Sequence, residues 1–307
     1  MDTRSLQETA LRYFLEVVKH GSINRASAQL NVAPSAISRQ ISRLEEELGA
    51  RLFERRAKGM VPSGAGELLA THVRRERLEA QRLIEEIAAL EARQIGRIRL
   101  ASVEGMAIDF LPHLVRLFLA DHPGVNVDLH SCAVEEVTRL VSEGEVDIGF
   151  TNNHRPRREV RVEARTAAPI HALVARDHPL AGRERLALSD IVDYPLALPH
   201  GHTSVRQLFD LACARQGVLF EPVFTSNYLN ALIHFALDGG GIALCAELTV
   251  RHRTDAERYR VIPIDETELG ARFIEILTLA GRTLPAGVAA FVELARSSFS
   301  VAAPRSG

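Results

Sequence analysis

The chain of 307 residues has no tryptophan, and aromatic residues make up only 5% of it. Aliphatic side chains must fill most of the interior, and a 46% apolar content supplies enough of them. Cysteine is scarce. Cys132, Cys213 and Cys245 stand far apart, without zinc-site spacing or the density of a disulfide scaffold. They read as small core residues in a reducing compartment, with a redox pair of Cys213 and Cys245 as the alternative. Long apolar runs are also missing. The longest candidate, Ala231–Val250, is interrupted by His234, Asp238 and three glycines, which excludes a transmembrane helix there. The opening Met-Asp-Thr-Arg leads into interleaved charged and apolar residues, unlike a secretory signal. A cytoplasmic protein is expected. Nor is there a G-x-S-x-G, H-E-x-x-H or Walker A motif, or a G-x-G-x-x-G between strand and helix, so enzyme classes marked by these signatures are disfavoured.

What is present is an uneven charge. The net value of −2 conceals ten Lys/Arg against seven Asp/Glu in residues 1–60, and 27 against 32 in the remainder. A small basic module on a larger acidic one fits a nucleic-acid reader attached to something that does not touch nucleic acid.

The basic module has helical periodicity. Leu6, Ala10, Phe14, Val17 and Val18 predict a helix from about Ser5 to His20, stopped by Gly21. Ser22 can cap a short second helix, Ile23–Leu30. Asn31-Val32-Ala33 makes a turn, and Pro34 suits the first position of a third helix, which runs to Leu48 before Gly49. Ile37, Ile41, Leu44 and Leu48 form its inner stripe. Ser35, Ser38 and Arg39 fall opposite or beside that stripe, in the first turn and a half. This arrangement predicts a helix-turn-helix whose third helix offers hydroxyls and a guanidinium to base edges or phosphates. Arg55, Arg56 and Lys58 then flank a turn at Gly59, as in a basic two-stranded wing that contacts phosphates or enters the minor groove.

The run Leu11–Arg55 (LRYFLEVVKHGSINRASAQLNVAPSAISRQISRLEEELGARLFER) closely resembles the winged helix-turn-helix of LysR-type transcriptional regulators. Its S-A-I-S-R-Q-I, L-E-E-E-L-G and R-L-F-x-R segments fall at the family's spacing. The resemblance implies DNA contacts from Ser35, Ser38 and Arg39 and from wing residues near Arg55 and Arg56; the expected DNA-binding set also takes in Ser22, Arg25, Pro34 and Lys58. Two positions depart from the pattern. Ala33 stands where Ser is frequent, which removes a side-chain cap. Pro34 stands where Gln is common, which removes an adenine reader.

Residues 64–94 contain no proline, and Leu69, Val73, Ala80, Leu83, Ile84, Ile87 and Leu90 recur mostly at three- or four-residue steps. A helix of roughly 28 residues spans about 40 Å and needs a partner for its apolar edge. By resemblance, the partner is the same helix of a second subunit, giving a homodimer, and commonly a homotetramer, that carries paired DNA heads.

From Gly96 onward, strand-like and helix-like segments alternate, including a helix over Met106–Leu119. The pattern predicts parallel sheets flanked by helices. Two such α/β lobes resemble the periplasmic-binding-protein-like effector domain of the same family. The expected organisation is multidomain: a winged helix-turn-helix at 1–62, a linker helix at 63–94 and an effector domain at 95–307. Its first lobe is about 95–163 and 269–300, and its second about 164–268. Ligands bind beyond the carboxyl ends of strands in such sheets. That rule selects Ser102, Ser131, Thr151, Asn152, His200, His202 and Thr203 as effector contacts, several of them next to helix N-termini that favour an anion. A metal pair of His200 and His202 is the alternative there, but spacing shows no third ligand. Neither a metal nor a cofactor is expected. The expected function is a transcriptional regulator, not an enzyme, whose partners are double-stranded DNA, a small-molecule effector and RNA polymerase. A stand-alone transport-type binding protein is the competing reading, opposed by the basic head.

Overall fold

A computed structural model describes residues 8–56, 59–92, 96–152 and 158–300. The chain divides into two compact units, 1–85 and 86–307.

In the first unit, α1 (Glu8–His20), α2 (Ile23–Leu30) and α3 (Pro34–Leu48) pack around Phe14, Val17, Ala26, Ile37 and Leu44, all of them buried. Asn31 ends α2 in the left-handed conformation with φ 53°, and Gly49 ends α3 with φ 63°. Strands β1 (Phe53–Arg56) and β2 (Gly59–Pro62) form an antiparallel hairpin with Phe53 opposite Pro62. Three contacts fix this hairpin to the helices. The Glu45 carboxylate accepts from the Leu52 N–H at 2.7 Å and the Phe53 N–H at 3.4 Å. Met60 N–H donates to the Gly21 carbonyl at 2.8 Å. The approach there is so close that a Cβ on Gly59 would lie 2.5 Å from the Gly21 oxygen. Helix α4 (Gly64–Ala92) starts in this unit, with Ala70 and Val73 in its core.

The second unit holds two mixed five-stranded sheets. The first contains β3 (Arg97–Ser102), β4 (Asn126–Ser131), β5 (Ile148–Asn152), β6 (Val160–Ala167) and, far along the chain, β12 (Phe273–Leu279), in the order β4-β3-β5-β12-β6. Helices α5 (Glu104–Ala107), α6 (Phe110–Asp121), α7 (Val134–Ser142) and α12 (Ala286–Ser300) also belong to this lobe. The β4-β3-β5 part is parallel, whereas β12 runs antiparallel to both neighbours. The parallel arrangement expected from the alternation holds for these three strands, and the stretch expected to return to this lobe adds β12 in the opposite direction.

The second sheet has the order β11-β7-β10-β8-β9. Its elements are β7 (Ile170–Ala175), α8 (Leu188–Ile191), β8 (Leu196–Pro199), α9 (Ser204–Gln216), β9 (Phe224–Ser226), α10 (Leu229–Leu237), β10 (Ile242–Ala246), β11 (Tyr259–Pro263) and α11 (Thr267–Gly270).

Two boundaries differ from expectation. Residues 160–167 are the edge strand of the first sheet, paired with β12 from Phe273–Ala167 to Leu279–Val160, so the first lobe extends past residue 163. The helix expected over Met106–Leu119 is two helices, α5 and α6, with Asp109 between them at φ −140°. The Asp109 carboxylate accepts from the backbone N–H of His252 at 2.5 Å, which accounts for the break.

Candidate functional site

The third helix of the first unit is divided lengthwise. Ile37, Ile41 and Leu44 are buried, while Pro34, Ser35 and Arg39 are exposed and Ser38 is half-buried. Ala33 forms no side-chain cap, and Pro34 occupies the first turn. Among the described residues no side chain caps the N–H groups at that end, which suits phosphate binding. Ser22 caps α2 by accepting from the Arg25 N–H at 3.5 Å, and Arg25 is exposed. Arg55 and Arg56 belong to β1, but their side chains lie outside the described ones, and Lys58 lies outside the described residues. In α4, Leu83 is exposed, as is Ala80; the side chains of Ile84, Ile87 and Leu90 lie outside the described ones.

In the second unit, the sheet register assembles the first-lobe candidates. Ser102 lies beside Ser131 on one side and Phe150 on the other, which places Thr151 and Asn152 at the same carboxyl end. Their availability differs. Ser131 is exposed, whereas Ser102 and Thr151 are fully buried and Asn152 is nearly so. The Ser102 hydroxyl donates to the Val103 carbonyl at 2.9 Å. Among the described residues Thr151 Oγ1 has no hydrogen-bond partner. From the second lobe, His200 and His202 are exposed, with near-parallel rings 6.2 Å apart. Thr203 is the N-cap of α9. Its hydroxyl donates to the His200 carbonyl at 3.0 Å and accepts from the Arg206 N–H at 3.3 Å, so it is already engaged. Among the described residues no cluster of three or more His, Cys, Asp or Glu could hold a metal. Cys213 and Cys245 are buried free thiols, and burial pushes them up to about 11 and about 12 respectively, far from thiolate reactivity.

Residues that the sequence reading missed join the two lobes. Glu104, just past β3, accepts from the Leu229 N–H at the start of α10 at 2.8 Å, with Asn230 N–H as a second donor. Burial raises its carboxyl above the ordinary value, and these two backbone donors oppose the rise. The His113 and His252 rings stack at 3.8 Å with an interplanar angle of 4°. Ala246 and Leu248 of the second lobe are buried in the first lobe's core. At the crossings between lobes, Arg272 is 5% exposed. Its Nε donates to Ser204 Oγ at 3.3 Å and its guanidinium to the Ala168 carbonyl at 3.4 Å. Burial pushes its pKa down to about 10. Each contact links residues about 70 to 145 positions apart in the chain, and no local pattern announces such pairs.

A winged helix-turn-helix followed by a two-lobed α/β domain defines a DNA-binding regulator with a ligand-binding module. Residues 9–67 match the bacterial regulatory helix-turn-helix protein of the lysR family, and residues 91–300 match the LysR substrate binding domain. The chain belongs to the LysR family of transcriptional regulators. It is 26% identical over 244 residues to the uncharacterized HTH-type transcriptional regulator YvbU of Bacillus subtilis, covering 79% of this chain and 82% of that one. It is 25% identical to the RuBisCO operon transcriptional regulator of Allochromatium vinosum, covering 83% of each. These relatives are transcriptional regulators, not enzymes. Two solved structures share the fold. A full-length OxyR variant from Pseudomonas aeruginosa superposes with a TM-score of 0.61 at 18% identity, covering 94% of each chain. Full-length CbnR in complex with its target DNA gives 0.56 at 22% identity, covering 97% of this chain and all of that one. Among the described residues no helix is long and apolar enough to cross a membrane.

Proposed function

We propose that this regulator reads promoter DNA with the first turns of α3 and adjusts that reading to a small molecule held between its two α/β lobes. The observation that carries the reading is the divided face of α3. Ser35 and Arg39 are exposed with Ser38 beside them, on a helix whose opposite stripe is fixed in the core. A recognition helix needs this arrangement, because base edges are met only by side chains the fold does not use. Arg25, Ser22 and the wing arginines Arg55 and Arg56, with Lys58, contact phosphates and set register. Ser131, Asn152, His200 and His202 border the effector cleft, with Ser102, Thr151 and Thr203 in its framework.

The working form is a homodimer or homotetramer joined through α4, which presents paired heads to paired half-sites. It acts in the cytoplasm, where effector-dependent repositioning of the heads changes contact with RNA polymerase. The test is retention of sheared genomic DNA by the purified protein at moderate salt, followed by sequencing. A few enriched sites with paired half-sites are expected. Weak retention of all sequences that salt abolishes would mean phosphate attraction only and would sink the proposal.

A further inference from the structure

We propose that the stacked imidazoles of His113 and His252 are a proton-sensitive latch between the two lobes, opened by acid, and that through it the regulator's DNA binding follows pH. The link to DNA binding rests on the reading of this unit as a module that adjusts that binding. The latch itself rests on the fold alone.

The two histidines come from different lobes. His113 belongs to α6, and His252 lies between β10 and β11. Their rings are 3.8 Å apart and parallel within 4°. Asp109 fixes both backbones. Its carbonyl accepts from the His113 N–H at 3.0 Å, and its carboxylate accepts from the His252 N–H at 2.5 Å. Apolar rings stand behind the stack. Phe110 is buried, with its centroid 6.1 Å from that of His252 and 5.7 Å from that of Phe299 of α12. Neutral imidazoles suit this half-buried place, because their faces are apolar. Two imidazoliums do not, because like charges at that separation repel with little water between them. The chain leading to His252 also places Ala246 and Leu248 in the first lobe's core. Parting the rings therefore loosens the anchorage of one lobe in the other.

The charges around the stack do not offset a proton there. From the first lobe Asp109 faces the pair, with its carboxylate already bonded to a backbone N–H. From the second lobe Glu247 faces it, but Arg251 binds Glu247 at 3.0 Å and lies beside His252 as well. Arg253 is paired with Asp255 at 2.8 Å and acts on Asp109 from the same side. Burial, and then His113, hold His252 below its ordinary value of 6.5, and the pull of Asp109 and Glu247 does not prevail. The latch is thus complete above the ordinary value and is lost as pH falls through the lower folded one.

The test is amide hydrogen exchange of the full-length protein, corrected for the intrinsic pH dependence of exchange. It compares about pH 7.5 with about pH 5.5, on either side of the ordinary histidine value. Peptides covering 108–116 and 248–256 should lose protection about fivefold on acidification, while peptides over 148–152, in the middle of the first sheet, change little. His113→Phe keeps a stacked ring that takes no proton, and its loss should stay within about twofold. His252→Gln should behave alike and keeps the test open if His113→Phe does not fold. His171→Gln, in the second sheet, should lose as much protection as the wild type. Equal protection of the wild type at both pH values, or a loss in the folded variants as large as the wild type's, would overturn the latch. Gel shifts on the retained genomic sites at the same two pH values read the link to DNA. The ratio of the two apparent affinities should differ several-fold between wild type and His113→Phe, and equal ratios would overturn that link. A failure to shift any site at either pH would count against the regulator reading and leave the exchange result standing.

Discussion

One carboxylate accepts two of the wing's backbone N–H groups, and that makes its removal informative. Glu45 accepts from the backbone N–H of Leu52 at 2.7 Å and of Phe53 at 3.4 Å, at the point where the chain turns from α3 into β1. Leu52 and Phe53 are themselves buried, and the Phe53 ring packs on Phe14 with centroids 5.3 Å apart. In Glu45→Ala both N–H groups lose a charged acceptor in a partly buried place. One hydrogen bond to a charged group contributes roughly 1.5–3 kcal/mol. The 2.7 Å bond deserves that full range, whereas the 3.4 Å contact is near the geometric limit and adds little. The pair therefore stabilises the wing by about 2–3 kcal/mol. At 1.4 kcal/mol per factor of ten, the equilibrium for local opening rises roughly 30- to 150-fold. Amide hydrogen exchange on peptides covering residues 50–62 measures this opening directly. Glu45→Gln keeps a neutral acceptor and should recover about half of the lost protection, since a neutral hydrogen bond has roughly half the strength. Unchanged exchange at Leu52 and Phe53 in Glu45→Ala would refute the assignment of the wing's stability to this carboxylate.

Three further outcomes are expected. Arg39→Ala should weaken specific DNA binding by about 1–3 kcal/mol and relax the preference at one base pair; an unchanged preference across operator variants would show that Arg39 reads no base. Gly149→Ala should destabilise the second unit by about 1–3 kcal/mol through overpacking, because the new Cβ would stand 2.6 Å from Val141 Cγ2 and 3.0 Å from Val137 Cγ1; a urea midpoint equal to the wild type's would contradict this. Acidification should loosen the lobes at the His113–His252 stack. Burial and then His113, with Arg251, hold His252 below its ordinary value of 6.5, against the opposing pull of Asp109 and Glu247. A folded-state value below the unfolded one means that the neutral ring's stabilisation is complete above the unfolded pKa and is lost as pH falls through the lower folded value. The Tm of the second unit should therefore decline below about pH 6.5, and less so in His252→Gln. Parallel Tm profiles for the two proteins would exclude His252 as a source; His171 and His178, also lowered by burial, would then remain to carry the decline.

Legibility followed the range of the interactions. Periodicity within 15 residues located α3, because Ile37, Ile41 and Leu44 repeat on one face and leave Ser35 and Arg39 on the other. The strand-end rule likewise brought Ser102, Ser131, Thr151 and Asn152 to one edge, since register between neighbouring strands follows from their common direction. It was silent on availability: that Thr203 is spent as a cap and Ser102 is bonded to a carbonyl depends on local backbone geometry. Residues 160–167 misled for another reason. Arg161, Glu163 and Arg165 give the segment the polarity of a connection, yet as an edge strand it needs only one protected side. Its partner, β12, arrives more than a hundred residues later. Arg272 was invisible, and Glu104, though it stands at the carboxyl end of a strand, was not singled out, because a charge beside a strand looks the same whether it faces water or reaches across to the other lobe.

The Glu104 contact also constrains how a ligand could act on the lobes. The Glu104 carboxylate takes the place of a ligand's anion at α10, binding its first N–H groups from within the chain. With hydrogen bonds to a charged group at roughly 1.5–3 kcal/mol each, an effector that parted the lobes at this end would have to recover at least about 3 kcal/mol through tighter binding to the parted arrangement. That is an affinity difference on the order of 100-fold between the two arrangements. Differential affinity is the only means by which a ligand shifts a conformational equilibrium, and at this clasp it must first outweigh the hydrogen bonds that Glu104 makes to α10.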